Sequence, residues 1–293
     1  DQPWTGHRFL SPPAGEGTRL FVLTASENQV FLNCLHRNTG RLQWRQPLAY
    51  GDDNSVSVID ASIFAKRASV CLVNHDVVVC SLADGILTGL SAFDGRLLWA
   101  TAIRDAVSTA PQFRFGRPFL HDQASAASPA IMVPHISDEI VVCCNHYSAS
   151  VTGLSLQTGE IIWRTSRQAS GPGEIGGSPD FYVAGIAGMQ VILVGARHCR
   201  SLDLRTGEQK WAVEIHGISG RAECRGDRCV IPMSSGQAVT VNLESGTLIP
   251  ESLIGTPHSS REQNGGLTMD DELICVTTPV GVDVFLRADA VFN

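Results

Sequence analysis

The residues best equipped for chemistry are bunched in a few places, and each bunch suggests a different activity. Phe113-Arg114-Phe115-Gly116-Arg117-Pro118-Phe119-Leu120-His121-Asp122 interleaves phenylalanines with arginines, a mixture enriched where one protein grips another. Arg114, Arg117, His121 and Asp122 are therefore the candidate partner contacts; the competing reading is a loop folded over with its phenylalanines buried. His121-Asp122 has no Ser or Cys nucleophile close by in sequence, which leaves a hydrolytic triad unsupported. Asp52-Asp53-Asn54 and Asp270-Asp271-Glu272 offer carboxylates for calcium, but neither has the ligand spacing, glycine and terminal Glu of a calcium loop. The second falls where a hairpin should turn, so water is its better partner. Arg225-Gly226-Asp227 matches an adhesion tripeptide and equally well the content of a short hairpin turn. His36, His75, His146 and His198 lack metal-ligand spacing and fit turns or strands. No catalytic, cofactor-binding or metal-ligating residue is assigned on these grounds.

The nine cysteines are an odd number and too few for a disulfide scaffold. Cys71, Cys80, Cys144 and Cys275 sit inside apolar runs, where a thiol packs as a small hydrophobe. The one pair placed for a bridge is Cys224 with Cys229, which flank a four-residue turn and would face each other across a hairpin.

These groups must be positioned by a repeating element, and the clearest copy runs from Gly153 to Trp163. Its strand leads through Leu156 into a tight turn at Gln157-Thr158-Gly159, and Glu160 to Trp163 starts the returning strand. A glycine in the third turn position can take the left-handed conformation that a type I turn with a bulge requires. With the turn glycine as origin there are five copies, at Gly40, Gly95, Gly159, Gly207 and Gly246. Five positions earlier stand Leu35, Leu90, Leu154, Leu202 and Val241; six earlier stand Cys34, Gly89, Gly153, Ser201 and Thr240. Directly before each glycine is Thr39, Asp94, Thr158, Thr206 or Ser245, short side chains that can bond turn amides. Four positions after it come Trp44, Trp99, Trp163 and Trp211, with Pro250 in the fifth copy. Two positions after it the residue is aliphatic in four copies (Leu42, Leu97, Ile161, Leu248), and simple strand alternation predicts that it shares a buried face with the indole.

The glycines are 55, 64, 48 and 39 residues apart. The shortest spacing suits one four-stranded propeller blade, roughly 40–50 residues, and the longer ones require insertions. A helical repeat fails, because the units are rich in Val, Ile, Thr and Gly with two-residue alternation. The expected fold is all-β: a β-propeller of four-stranded antiparallel blades with about six repeats visible. Residues 1–16 read as a lead-in and 17–293 as a single propeller domain, with repeats near 17–48, 68–103, 128–166, 178–215, 219–254 and 264–293. The sixth stops before any turn glycine or tryptophan, so either the N-terminal segment supplies its last strand or further blades are missing, as in an eight-bladed ring. The insertions at 45–67, 100–127, 164–177 and 251–265 all follow the motif's last position, so they are expected on one side of the disc, where any partner would dock.

The chain carries 17% charged residues and a net charge of −7, a balance that disfavours nucleic acid as partner. It has no apolar run of about 18 residues and so no transmembrane segment is expected. It begins at Asp1 with no signal-like segment, which reads as a processed protein or an excised piece.

The pattern small-Leu-x-x-x-Thr-Gly-x-x-x-Trp resembles the tryptophan-docking repeat of PQQ-type β-propellers. That superfamily spans quinoprotein alcohol dehydrogenases and the non-enzymatic outer-membrane assembly lipoproteins of the BamB type, and this chain is more similar to the latter. The resemblance implies that Trp44, Trp99, Trp163 and Trp211 are structural, each docking beside a small residue of a neighbouring repeat, with Cys34, Gly89, Gly153 and Ser201 as small partners. It implies a non-catalytic binding or scaffold module, part of a larger exported, periplasmic or envelope-associated protein, taking a protein or small ligand on the insertion-bearing face. The alternative it leaves is a PQQ-dependent oxidoreductase or a fragment of one. PQQ and calcium belong to the dehydrogenases of the superfamily, but their calcium carboxylates and catalytic aspartate have no match here, so no cofactor is expected. The adjacent Cys143-Cys144 is similar to the vicinal disulfide that touches the quinone in those enzymes. There it lies in a loop; here it ends a strand at 140–144, where neighbouring side chains point to opposite faces, and it is expected unbonded.

Overall fold

The computed structural model describes residues 4–27, 29–50, 70–82, 85–103, 133–144, 148–171, 179–218, 220–235, 238–249, 267–269, 273–278 and 281–286. The described residues form antiparallel sheets in which consecutive strands are neighbours. The first sheet holds β1 (Arg8–Phe9), β2 (Ala14–Glu16), β3 (Arg19–Ser26), β4 (Gln29–His36) and β5 (Leu42–Tyr50). Both β1 and β2 pair with β3, Phe9 opposite Thr24 and Ala14 opposite Phe21. They act as one strand interrupted at Pro12-Pro13, where two missing N–H donors break the ladder. The segment read as a lead-in therefore contributes the first edge of this sheet.

The second sheet is β6 (Val70–Asn74), β7 (Val77–Leu82), β8 (Ile86–Ser91) and β9 (Leu97–Ala102); the third is β10 (His135–Ser137), β11 (Ile140–Cys144), β12 (Ser150–Ser155) and β13 (Ile161–Ser166). The fourth is β14 (Asp180–Ala187), β15 (Gln190–Gly195), β16 (His198–Asp203) and β17 (Gln209–Glu214). The fifth is β18 (Glu223–Arg225), β19 (Arg228–Pro232), β20 (Ala238–Asn242) and β21 (Leu248–Ile249), and the last described strands are β22 (Leu267–Met269), β23 (Leu273–Thr278) and β24 (Gly281–Leu286). The chain divides into two compact units, one holding the described residues up to Arg164 and the other those from Thr165.

In the first unit, successive sheets pack face to face. Phe21, Leu23, Leu32 and Cys34 of the first sheet meet Val78, Cys80 and Leu90 of the second. The opposite face of the second sheet, Val77, Val79 and Leu87, meets Val141, Cys143 and Leu154 of the third. A strand covered on both sides has no polar face, which is why Val77-Val78-Val79-Cys80 runs apolar without alternation and is wholly buried. In the second unit the fourth and fifth sheets share a core around Ile192, Val194, Cys199, Cys229, Ile231 and Val241.

Each sheet from the first to the fifth turns between its third and fourth strands through the repeated motif, and the loop is one residue longer than the sequence suggests. Ser155 N–H donates to the Glu160 carbonyl and Gly159 N–H to Ser155, so Leu156 opens a four-residue loop rather than ending the strand; the other four copies match it. The motif glycines have φ between 66° and 77°, the left-handed region that a side chain resists. The short residue before each glycine accepts from the amide after it: Thr39 from Arg41, Asp94 from Arg96, Thr158 from Glu160, Thr206 from Glu208 and Ser245 from Thr247.

The tryptophans sit differently from the expectation in one respect. Cys34 pairs with Trp44, Gly89 with Trp99 and Ser201 with Trp211, so the small residue six positions before the glycine is a cross-strand partner in the same sheet. The neighbouring repeat contributes its turn glycine instead. A β-carbon on Gly89 would lie 2.1 Å from the Trp99 ring, and one on Gly159, in the next repeat, 2.5 Å from the other side of that ring. Gly95 stands in the same relation to Trp44, and Gly246 to Trp211. Trp99 Nε1 donates to the Leu156 carbonyl at 2.8 Å and Trp211 Nε1 to Leu243 at 3.1 Å, each the residue that opens the neighbour's loop. Trp99 and Trp163 are each 7% exposed; Trp44 and Trp211 are partly buried.

The expectation that the aliphatic residue two after the glycine shares the buried face is overturned. Leu97 is 53% and Ile161 38% exposed, and Leu248 is exposed as well. Leu90 pairs with Leu97 while Gly89 pairs with Trp99, so β9 carries an extra residue at Leu98; β5 and β17 shift register at the same place. This bulge breaks the two-residue alternation and turns the indole inward while its neighbour faces out. The fifth sheet, which has no tryptophan, keeps an unbroken register through Val241–Leu248 and Thr240–Ile249.

Two glycines separate the causes. Gly40 and Gly159 have the same backbone conformation, but a β-carbon on Gly40 meets nothing within 4 Å. Gly40→Ala should cost about 1–2 kcal/mol for the left-handed backbone alone, and Gly159→Ala a further 1–3 kcal/mol or so for overpacking against Trp99. Trp99→Ala should cost about 3–5 kcal/mol. Urea unfolding of the three variants checks the order; equal losses for the two glycine variants would remove the indole contact from the account.

Candidate functional site

The polar residues that the structure brings together lie at the described ends of the insertion 164–177. β13 ends at Ser166, and β14 begins at Asp180 after a bridge between Gln168 and Pro179. Asp180, His198 and Arg200 are fully enclosed, the arginine at 1% exposure. A buried carboxylate needs every lone pair satisfied, and here it is surrounded. His198 Nε2 lies 2.8 Å from Asp180 Oδ1, and Arg200 Nε donates to Oδ1 at 3.0 Å and, through Nη2, to Oδ2. Arg200 also donates to the Ser166 carbonyl at 2.6 Å and to Gln209 Oε1 at 3.0 Å. Arg167 Nε donates to the Asp180 carbonyl at 3.0 Å, and Gln209 Nε2 to Ser170 at 2.8 Å. His198 packs where Gly195 has no side chain: a β-carbon there would stand 2.2 Å from the imidazole. His198 Nδ1 is buried with no hydrogen-bond partner. Closed to solvent, the Asp–His–Arg set acts as a clamp on the incoming and outgoing chain.

A second arrangement is half-buried, with only Phe9 fully at the surface. Arg45 lies 5.4 Å from the Trp4 ring centre and 5.5 Å from that of Phe31, within cation–π range. His7 packs edge-on to Trp4, Phe9 is 57% exposed beside it, and Arg45 Nε donates to the buried Asn33 at 2.7 Å. Burial, and then the charge of Arg45, lower the pKa of His7. Arginine held among rings by a buried asparagine is a preorganised patch of the composition found at protein interfaces.

The loop at Arg114, Arg117, His121 and Asp122 lies outside the described residues. So do most of the insertions, both acidic groups, and with them the comparison of their sides. Cys143 and Cys144 end β11 opposite Thr152 and Val151, and Cys143 Sγ donates to the Thr152 carbonyl. Among the described residues no group of three or more His, Cys, Asp and Glu is placed to hold a metal ion, and no helix is long and apolar enough to cross a membrane. His198, which spacing places in a turn or strand, starts β16 and is fully buried in the cluster with Asp180 and Arg200. The available signal was alternation in His198-Cys199-Arg200-Ser201-Leu202, which sets a histidine and an arginine on the face of a leucine. Thr101 and Thr165, two residues after Trp99 and Trp163, were also missed; their hydroxyls donate to the Gly159 and Gly207 carbonyls at 2.7 and 2.6 Å.

Comparison with known proteins gives the fold a family. The family model described as outer membrane protein assembly factor BamB matches residues 2–177 and 126–286. The crystal structure of BamB from Moraxella catarrhalis superposes with a TM-score of 0.61 at 16% identity, covering 95% of this chain and 74% of that one. The C-terminal WD40 domain of Sif2 gives 0.60 at 10% identity, covering 96% of this chain and 67% of the other. A europium-containing methanol dehydrogenase gives 0.52 at 12% identity, covering 84% and 52%. These likenesses show the β-propeller fold, with the sheets as its blades. No curated protein matches the chain by sequence.

Removing one member of the buried cluster strands the others. Asp180→Ala should lower stability by about 3–5 kcal/mol, whereas an Asp180→Leu/Arg200→Met double variant should lose less than the sum of the single changes. Urea unfolding of the set checks this, and strict additivity would show that the pair is not coupled.

Proposed function

Because the chain belongs to the family of the outer membrane protein assembly factor BamB, we propose that it is a non-catalytic propeller that binds protein at the cell envelope, within a longer exported protein. The family match over residues 2–177 and 126–286 carries the reading. The chemistry of the described residues agrees with it: the enclosed Asp180–His198–Arg200 set is tied up in structural bonds, and the aromatic patch around Arg45 is of interface composition. The likeness to methanol dehydrogenase is one of fold and carries no oxidoreductase chemistry across.

The partner site we propose is the insertion-bearing face, read through Arg114, Arg117, His121 and Asp122. Insertions collect after the motif's last position while the connections within blades stay short, and the clamp at Ser166, Arg167 and Asp180 holds the root of one insertion rigid. Rigid roots lower the ordering cost that a partner must overcome.

The test is co-purification from envelope extract with three baits. Wild type and Phe9→Ala should retain a common partner, and Arg114→Ala/Arg117→Ala should lose it with an unchanged melting temperature. Retention by the double variant with loss in Phe9→Ala would move the footprint to the patch on the first sheet. A quinone absorbance band with dye-linked alcohol oxidation after incubation with PQQ would overturn the non-catalytic reading.

A further inference from the structure

The fourth and fifth sheets bring Cys199 together with the hairpin cysteines Cys224 and Cys229 around one core. β18 and β19 are joined by the two-residue turn Gly226-Asp227, with Arg225 opposite Arg228 and Cys224 opposite Cys229. In a two-residue hairpin the pair flanking the turn is the hydrogen-bonded one, so the next pair is non-hydrogen-bonded, with α-carbons about 4.5 Å apart. That lies inside the window of roughly 4.4–6.8 Å over which a disulfide closes. Cys199 of β16 lies in the same buried cluster as Cys229, and Cys224 packs against that cluster. Cys224 lies over Gly185 of β14, whose added β-carbon would stand 3.1 Å from the cysteine Cβ. Cys199 and Cys229 are fully buried, and Cys224 alone of the three is partly exposed.

We propose that Cys224 and Cys229 form a redox-active dithiol, closed to a disulfide by exchange with a small-molecule disulfide of the glutathione type, while Cys199 remains a thiol. The Cys224 thiolate, the accessible one, attacks the small disulfide, forms a mixed disulfide and releases one small thiolate. The Cys229 thiolate then attacks the Cys224 sulfur and releases the second. Two protein thiols are oxidised, one small disulfide is reduced to two thiols, and the two protons given up by the cysteines go to the departing thiolates. The neighbouring Cys229 thiol, and then burial, raise the Cys224 thiol above its ordinary range. The reactive thiolate is therefore scarce at neutral pH, and exchange should quicken as pH rises towards the ordinary thiol range, about 8–9.

Trypsin cuts after Arg225 and Arg228, between the two cysteines, so the disulfide would hold two peptides together until it is reduced. The native protein is incubated with glutathione disulfide across that pH range, and its non-reduced tryptic peptides are weighed. Expected are a Cys224–Cys229 pair of peptides lighter by two hydrogens, faster formation at higher pH, and a rise in melting temperature that a reductant reverses. Cys199→Ser should leave the linkage intact. Cys224→Ser should abolish it, and where that variant fails to fold, peptide mapping of the Cys199→Ser protein decides alone. A Cys199–Cys229 linkage would overturn the assignment, as would glutathione remaining on Cys224 without closure or no modification after full exchange time.

Discussion

An indole wedged between two positions without side chains is the contact on which the blades depend. Trp99 lies between Gly89 of its own sheet and Gly159 of the next, and its N–H reaches the Leu156 carbonyl that opens the neighbour's loop. The ring thus fills the gap between repeats, satisfies a backbone acceptor that would otherwise be buried bare, and fixes the distance between one sheet and the following turn. Thr101 adds a hydrogen bond from the same strand to Gly159. Because neighbouring sheets meet through apolar side chains, a rigid aromatic with a polar tip supplies register as well as area. Trp44 shows the limit of the device: it lies against Gly95, but its Nε1 is buried with no hydrogen-bond partner.

The second constraint is electrostatic. Asp180 and Arg200 are taken wholly out of water together with His198, a cost of several kcal/mol for each of the two ions that their mutual bonds must offset. What the cluster yields is geometry: the carbonyls of Ser166, Gln168 and Asp180 and the amide of Ser170 are all held by the side chains of Arg200, Arg167 and Gln209. Apolar side chains of equal volume would fill the space but could not grip an irregular backbone at named atoms. A connection clamped this way can lengthen beyond its root without disturbing the sheets, which is what a scaffold with variable insertions requires.

How much was legible in the sequence follows from the distance over which each feature is decided. The motif's hairpins, their left-handed glycines and the bond from Thr158 to the Glu160 amide involve residues within one loop, so spacing alone identifies them. Cys224 and Cys229 belong here too, because a two-residue turn forces them opposite each other. The bulge at Leu98 was hidden, since alternation in the sequence looks the same whether or not the partner strand skips a residue. Cys199 joining the pair depends on which sheet packs against which, as does the meeting of Asp180 with Arg200.

The sequence by itself determined the all-β class, the repeat and its turn chemistry, and the four tryptophans as a set, because period and local hydrogen bonding are properties of neighbouring residues. Tertiary structure alone decided that Gly159 rather than Gly153 is the neighbour's contribution to a tryptophan joint, that Leu97 faces water, and that Arg200 is buried against Asp180. Each of those depends on a surface offered by a strand tens of residues away, and a side chain's environment is fixed only when that surface arrives.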